Sequence, residues 1–361
     1  MEEVLQYFNK KQKLHRILLT FLEDIFSDEA DLQNLINFIQ ANDILNDYEE
    51  FEHFLRLLLG ITSNHHMTPG FFHKIERIFL SILDEIKQTF SNQELFKIFS
   101  CNKKIFYFLL DKEVIVYDDI INEYAITSND PAALKYCHFF YKENPDQISS
   151  ENCLQKLQIG ENDSYLCSLI RQDSIKEFVQ YVNQTHLDIK NKIKPSLFET
   201  NSLLIEKEAT LIEYAAFFGS IKIFLYLKKN YEQLDPDVMI YAIHSQNVDL
   251  IHIIEGETNN WPPHLCMECY KEAIKCHHNE IADYFKINYL LDQVNDKEII
   301  ELCLKCSNYL MLPEKFEEKP IFYDLYDNKY IKLVDLLTDS KSEKAKAIEK
   351  IVNQKIYIVP N

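Results

Sequence analysis

Thr210-Leu211-Ile212-Glu213-Tyr214-Ala215-Ala216-Phe217-Phe218-Gly219-Ser220-Ile221-Lys222-Ile223-Phe224-Leu225-Tyr226-Leu227 is the stretch that decides how this chain folds. Its apolar residues fall at helical spacing on both sides of one glycine, which reads as two short helices joined by a tight turn. Degraded copies follow, from Tyr241-Ala242-Ile243 to Ile253-Ile254 and from Glu272-Ala273-Ile274 to Tyr284-Phe285. Beginning at residues 214, 241 and 272, the copies lie 27 and 31 residues apart. A small residue recurs in the first helix (Ala215, Ala242, Ala273 and, upstream, Ala125), where it permits close approach of a neighbouring helix. Bulk recurs in the second helix, as Ile223 and Phe224 and then Leu250 and Ile251, and points to the next pair. Gly219 allows the turn, and Gln246, His277 and Asn129 occupy its equivalent position. One helix pair cannot bury both of its faces, so the pattern predicts an all-α solenoid of stacked pairs.

Weaker pairs extend the pattern in both directions. Leu95 to Phe99 and Ile105 to Leu110 form one, Ser168 to Val182 another, Tyr124 to Cys137 a third, and Tyr323 to Leu337 a last one. Residues 143–160, 186–207 and 292–318 read as insertions between units. Residues 1–90 carry longer amphipathic helices: Leu14, Ile17, Leu18 and Phe21 share one face, as do Leu32, Leu35, Ile36 and Ile39. The stretch from Gly60 to Gly70 reads as a break between two of these helices. The expected organisation is a helical capping region over 1–90, divergent repeats over 91–290, and a C-terminal helical repeat or cap over 291–361.

Composition narrows the function. A hydrophobic fraction of 47% and an aromatic fraction of 13% can fill a large core, which argues against wholesale disorder. The formal net charge is −19, and the only arginines are Arg16, Arg56, Arg77 and Arg171. Nucleic-acid binding draws on basic faces and guanidinium forks, so nucleic acid is not an expected partner. An acidic exterior favours basic partners. The start Met1-Glu2-Glu3 is acidic where a secretory signal is basic, and no run approaches the ~20 apolar residues of a membrane span. The expectation is a reduced, intracellular (cytoplasmic) protein with no membrane span.

Thr210 to Ser220 resembles the ankyrin consensus T-P-L-H-x-A-A-x-x-G-H, and Ile221 to Leu227 resembles its second helix. The proline and both histidines of that consensus are missing. More narrowly, the chain resembles a divergent protist ankyrin-repeat family carrying the domain of unknown function 3447. That likeness rests on Phe71 to Glu76, Ser168 to Asp173, Ile193 to Ser202 and Tyr241 to Ser245. The resemblance implies an ankyrin-type fold and a protein-interaction role, with no catalytic residues to transfer. The copy spacing sits near the ~33-residue ankyrin period and below armadillo-type periods. With glycines only at 60, 70, 160, 219 and 256, tight β-hairpin fingers are not expected, and irregular loops take their place.

The same five glycines exclude G-x-G-x-x-G and G-x-x-x-x-G-K-[ST], and neither H-E-x-x-H nor G-x-S-x-G occurs. The remaining chemistry is in cysteine and histidine. Cys266-x-x-Cys269 and Cys303-x-x-Cys306 could together close a tetrahedral zinc site, the alternative to a purely structural role as buried thiols. His277-His278 falls in an inter-helix turn, where ankyrin units place turn hydrogen bonds. His65-His66 lies in a loop with no inferable acid or nucleophile beside it. Partner-binding candidates are residues at which the copies differ: Phe217 and Phe218, against His244 and Ser245, against Lys275 and Cys276, all at the end of the first helix, which lines the concave face of ankyrin stacks. Trp261, the one tryptophan, sits in an inter-repeat connection of the kind that carries hot spots. The expected function is a non-catalytic protein-interaction scaffold using the concave face and the inter-repeat loops, without cofactor or metal.

Overall fold

A computed structural model of the chain describes residues 2–64, 70–116, 151–257, 261–291 and 294–313. Among these the structure is helical: the only pairing of extended backbone is a single antiparallel bridge between Lys192 and Thr210. No described helix is long and apolar enough to cross a membrane. Two compact units emerge, one from residues 1–53 and 293–361 and the other from residues 54–292. His65-His66 and the pairs expected at Tyr124–Cys137 and Tyr323–Leu337 lie outside the described residues.

In the first unit, α1 (Glu2–Glu23) packs on α2 (Glu29–Ala41) and on a 3-10 turn at Tyr309–Met311 that follows α18 (Asp296–Lys305). The region 292–318, read from sequence as an insertion, therefore contains a helix. Asp28 caps α2 in a reciprocal box with Asp31, which satisfies orphan amides at the helix start. Gln12 donates from Nε2 to the Tyr309 carbonyl at 3.0 Å, so the two ends of the unit's sequence are hydrogen-bonded. Lys11 is buried, and its ammonium donates to Glu50 at 2.6 Å, the pairing that a buried charge requires.

The second unit starts within α3 (Tyr48–Asn64). Gly60 is inside this helix, which runs to Asn64, so the first part of the stretch read as a break is helical. There follow α4 (Phe71–Leu80), α5 (Leu83–Thr89), α6 (Asn92–Phe99) and α7 (Lys103–Asp111), with α6 and α7 forming the helix pair expected there. Next come α8 (Glu151–Ile159) and four helix pairs: α9 (Tyr165–Arg171) with α10 (Ile175–Thr185), α12 (Leu211–Phe217) with α13 (Ile221–Lys228), α14 (Val238–His244) with α15 (Val248–Glu255), and α16 (Pro263–Lys275) with α17 (Asn279–Phe285). A short helix, α11 (Ser202–Glu206), interrupts the series between the first two pairs.

The first helices form a row in which α9 touches α12, α12 touches α14, and α14 touches α16. Ala215, Ala242 and Ala273 are all fully buried, as small residues at a close helix crossing should be. Ile223, Phe224, Leu250 and Ile251 are buried as well. Each pair turns through one left-handed residue: Asp173, Gly219, Gln246 and His277, with φ between 48° and 65°. In three of these turns the last helical carbonyls are satisfied by the two residues at the turn, as in Gly219 N–H to Ala216 and Ser220 N–H to Ala215.

Consecutive turns are also hydrogen-bonded to each other. The Ser220 hydroxyl donates to the Ile170 carbonyl at 2.5 Å, and His278 Nδ1 donates to the Ile243 carbonyl at 2.9 Å. Both acceptors stand at the same position near the end of the preceding first helix. Asp173 reaches forward and accepts from the Ile223 and Lys222 amides at 2.9 and 3.1 Å, which caps α13. A Cβ at Gly219 would meet the Ser245 and Asn247 Cβ atoms at 3.3 and 3.4 Å. Gly219→Ala should therefore lower stability by about 1–2 kcal/mol, and Gln246→Gly should raise it by about 0.5–1 kcal/mol, because only the second relieves left-handed strain. Urea unfolding midpoints of the two variants check this.

Candidate functional site

The helix-end residues expected on a concave surface are core residues instead. Phe217, Phe218, His244 and Ser245 are 1%, 6%, 3% and 6% exposed. The Phe217 ring stacks on the His244 imidazole at 4.7 Å, and Phe218 packs on Tyr214 at 4.7 Å. The reason lies in the first helices: every residue from Val238 to His244 is buried, so α14 has no open face to offer a partner. Lys275 is exposed and pairs with Glu272 at 2.9 Å. Trp261 precedes α16 in a non-helical connection, half-buried, with its ring 6.4 Å from that of Tyr289 at a steep angle.

His244 belongs to a second kind of site. Its Nε2 donates to Glu272 Oε1 at 3.2 Å, and Cys276 Sγ lies 3.5 Å from its Nδ1 and 3.6 Å from its Nε2. Glu272 and Cys276 stand four residues apart on one face of the end of α16, and His244 comes from the end of α14. Burial raises the Glu272 pKa, but the hydrogen bond and charge of His244, joined by Lys275, outweigh it and hold the carboxyl down to about 2. His278, behind this group, has its imidazole pKa pushed down to about 3, first by burial and then by the proximity of His244. It is a neutral turn hydrogen-bond donor, as expected for that position. The C-x-x-C pairs fall in different units, with Cys266 and Cys269 on α16 and Cys303 and Cys306 at the end of α18, all as free thiols. Burial raises the pKa of both Cys266 and Cys269, which makes them poor nucleophiles. Among the described residues, the ligand-type side chains that do converge are His244, Glu272 and Cys276.

A polar centre that sequence reasoning missed lies beside the 186–207 insertion. The Asn201 amide donates to Glu199 Oε1 at 2.6 Å and to Glu161 Oε2 at 2.7 Å, bridging two carboxyl groups. Glu199 also accepts from the Asn162 and Asn201 backbone amides at 3.2 and 3.0 Å. Arg171 donates to the Asn162 carbonyl at 2.8 Å and to the Tyr214 hydroxyl at 2.9 Å. Buried Lys103, at the start of α7, donates to the Leu197 and Glu199 carbonyls, both at 2.9 Å. Around this network the insertion holds open a cavity of about 320 Å³, lined by Lys103, Asn162, Glu199, Tyr214, Ile193 and Leu204 among others. Two of the segments quoted for the family resemblance, Ser168 to Asp173 and Ile193 to Ser202, supply Arg171, Glu199 and Asn201. Their richness in charged and amide residues inside otherwise apolar units was the available signal.

No protein-family model, curated protein or solved structure matches this chain. In the polar centre beside the insertion, buried carboxyl, amide and guanidinium groups are hydrogen-bonded to one another and to the backbone. Burial raises the pKa of Glu161, reinforced by the nearby charge of Glu199 and opposed by Arg171 and Lys104. Burial raises the Glu199 pKa as well, against its hydrogen bonds. A carboxyl whose folded pKa is raised favours the folded state while protonated. That contribution is present below the ordinary glutamate value of about 4.3 and is lost as pH rises toward the raised folded value. Glu161→Gln should therefore melt higher than the parent at pH 7 and lose that advantage at pH 4, as thermal unfolding across that range would show.

Proposed function

We propose that this chain is a non-catalytic, ankyrin-type solenoid that binds partner proteins through the connections between its helix pairs. The row of four first helices, each touching the next, with its turn-to-turn hydrogen bonds, supports this reading most directly. Such a row is a rigid frame that stacks one unit at a time, and loops on rigid frames are where recognition concentrates. The copy spacing and the T-x-x-E capping box of Thr210 and Glu213 at the ankyrin helix start favour the same family of folds.

The burial of α14 moves the binding surface away from the concave helix ends and onto the connections. The connection before α16 offers half-exposed Trp261, flanked in sequence by exposed Glu257 and Glu268. An aromatic anchor with acidic neighbours suits an extended, basic peptide segment, and the overall charge of −19 adds long-range attraction for it. Lysine and arginine stems would lie along the indole face while their charges meet the carboxylates.

A linear-peptide display library selected on the immobilised full-length chain tests this. The expected result is enrichment of Lys- or Arg-rich extended peptides, with affinity reduced about tenfold or more in Trp261→Ala, a loss typical of a hot-spot residue. Leu225→Ser, on the exposed face of α13, should leave that affinity unchanged. Failure to enrich any peptide over bare support, or equal binding by Trp261→Ala at unchanged helical circular dichroism, would overturn the assignment.

A further inference from the structure

We infer that His244, Glu272 and Cys276 form a binding site for one divalent ion of the zinc type, set between two neighbouring helix pairs. Imidazole nitrogen, carboxylate oxygen and thiolate sulfur are a donor set that suits zinc, and four-coordinate zinc takes three protein ligands with water in the remaining place. Bonds of about 2.0–2.3 Å arranged tetrahedrally place neighbouring donor atoms about 3.3–3.6 Å apart. Here His244 Nε2 and Glu272 Oε1 are 3.2 Å apart, and Cys276 Sγ stands 3.5–3.6 Å from the imidazole nitrogens. One ligand atom from each of the three residues lies within 4.8 Å of the others.

The surroundings support the site. His244 and Cys276 are 3% and 0% exposed, so little water competes for their donors. Phe217 stacks on the imidazole, and Lys275 holds the second carboxylate oxygen of Glu272 at 2.9 Å, which leaves Oε1 directed at the histidine. Partners of this kind orient metal ligands and restrict the rotamers they must give up on binding. His244 Nε2 already lies 3.2 Å from Glu272 Oε1 and 3.6 Å from Cys276 Sγ, so it faces both of the other donors. On binding, the ion takes the place of the proton on His244 Nε2, which passes to Nδ1 through solvent, and the ion bonds to Nε2, to Glu272 Oε1 and to the Cys276 thiolate, whose proton goes to solvent.

The site would join α14 to α16, two successive members of the row. The ion would therefore bind the folded stack and not the unfolded chain, and it would raise stability in proportion to its occupancy. This role is distinct from partner recognition through the connections, and it stands whether or not that reading holds.

Cobalt(II) and zinc titrations of the reduced, full-length chain test the proposal. The expected result is one equivalent of cobalt giving a tetrahedral visible spectrum and a single thiolate charge-transfer band, both displaced by zinc, together with a rise in melting temperature. X-ray absorption of the zinc-loaded parent protein should show one sulfur and otherwise nitrogen and oxygen in the first shell. Cys276→Ser should lose the charge-transfer band. Glu272→Gln, which keeps the shape and the hydrogen bond, should weaken zinc at least about tenfold. Cys266→Ser and Cys269→Ser should bind as the parent does. A first shell of several sulfurs, a charge-transfer band that survives in Cys276→Ser, or no stoichiometric binding by the parent would overturn it.

Discussion

The hydrogen bond from one inter-helix turn to the turn before it is the contact on which the second unit depends. A helix seven residues long leaves most of its carbonyls without intrahelical partners. In α9 and α14 one of those carbonyls, Ile170 or Ile243, is taken by a side chain from the next pair, Ser220 or His278. That donor is available only because the residue before it adopts a left-handed conformation and swings the chain into the second helix. Local backbone geometry and the fit between neighbouring pairs are thus one constraint. The next pair adds a second donor to a carbonyl that its own turn already engages, so the end of one short helix is fully bonded with the next pair in place.

The same constraint explains why α14 is buried along its whole length. Such short helices have little propensity of their own and owe their stability to packing. Burying α14 on all sides supplies that packing, but it removes the open groove that a stack of longer amphipathic helices would present. The amphipathic helices are the second ones: α13 buries Ile223, Phe224 and Leu227 and leaves Lys222 and Leu225 outside, and α15 leaves Val248 and Asp249 outside.

Much of this was legible in the residues. The small-then-bulky rhythm placed the pairs α12 to α17, and Gln246 and His277 were correctly matched to Gly219, because a turn that must go left-handed recurs at a fixed distance from the buried alanine. Burial of Phe217, Phe218, His244 and Ser245 was not legible. Periodicity tells which side of a helix is apolar, but not whether a second layer covers the other side, and polar His244 and Ser245 look like surface residues in a linear reading. The polar centre was hidden for a different reason. Lys103, the neighbouring pair Asn162 and Arg171, and Glu199 come from three stretches of chain far apart in sequence, and no local spacing connects all of them.

Both buried polar clusters occur where the repeat departs from its own pattern. The centre at Glu161, Glu199 and Arg171 sits where an insertion breaks the series between the first and second pairs, and the insertion contributes the Asn201 side chain and the Lys194 and Glu199 carbonyls to it. The cluster at His244, Glu272 and Cys276 sits where the apolar end of α12, Phe217 and Phe218, gives way to the polar end of α14. A regular solenoid has no energetic reason for either, since apolar residues of similar volume would fill the same space without desolvating charge. Their physical effect is specificity of register. A slip of one unit would bring Phe217 opposite Glu272 and leave a carboxylate buried without its imidazole partner. The irregular letters of the repeat therefore fix which pair stacks on which, while the regular letters only require that pairs stack.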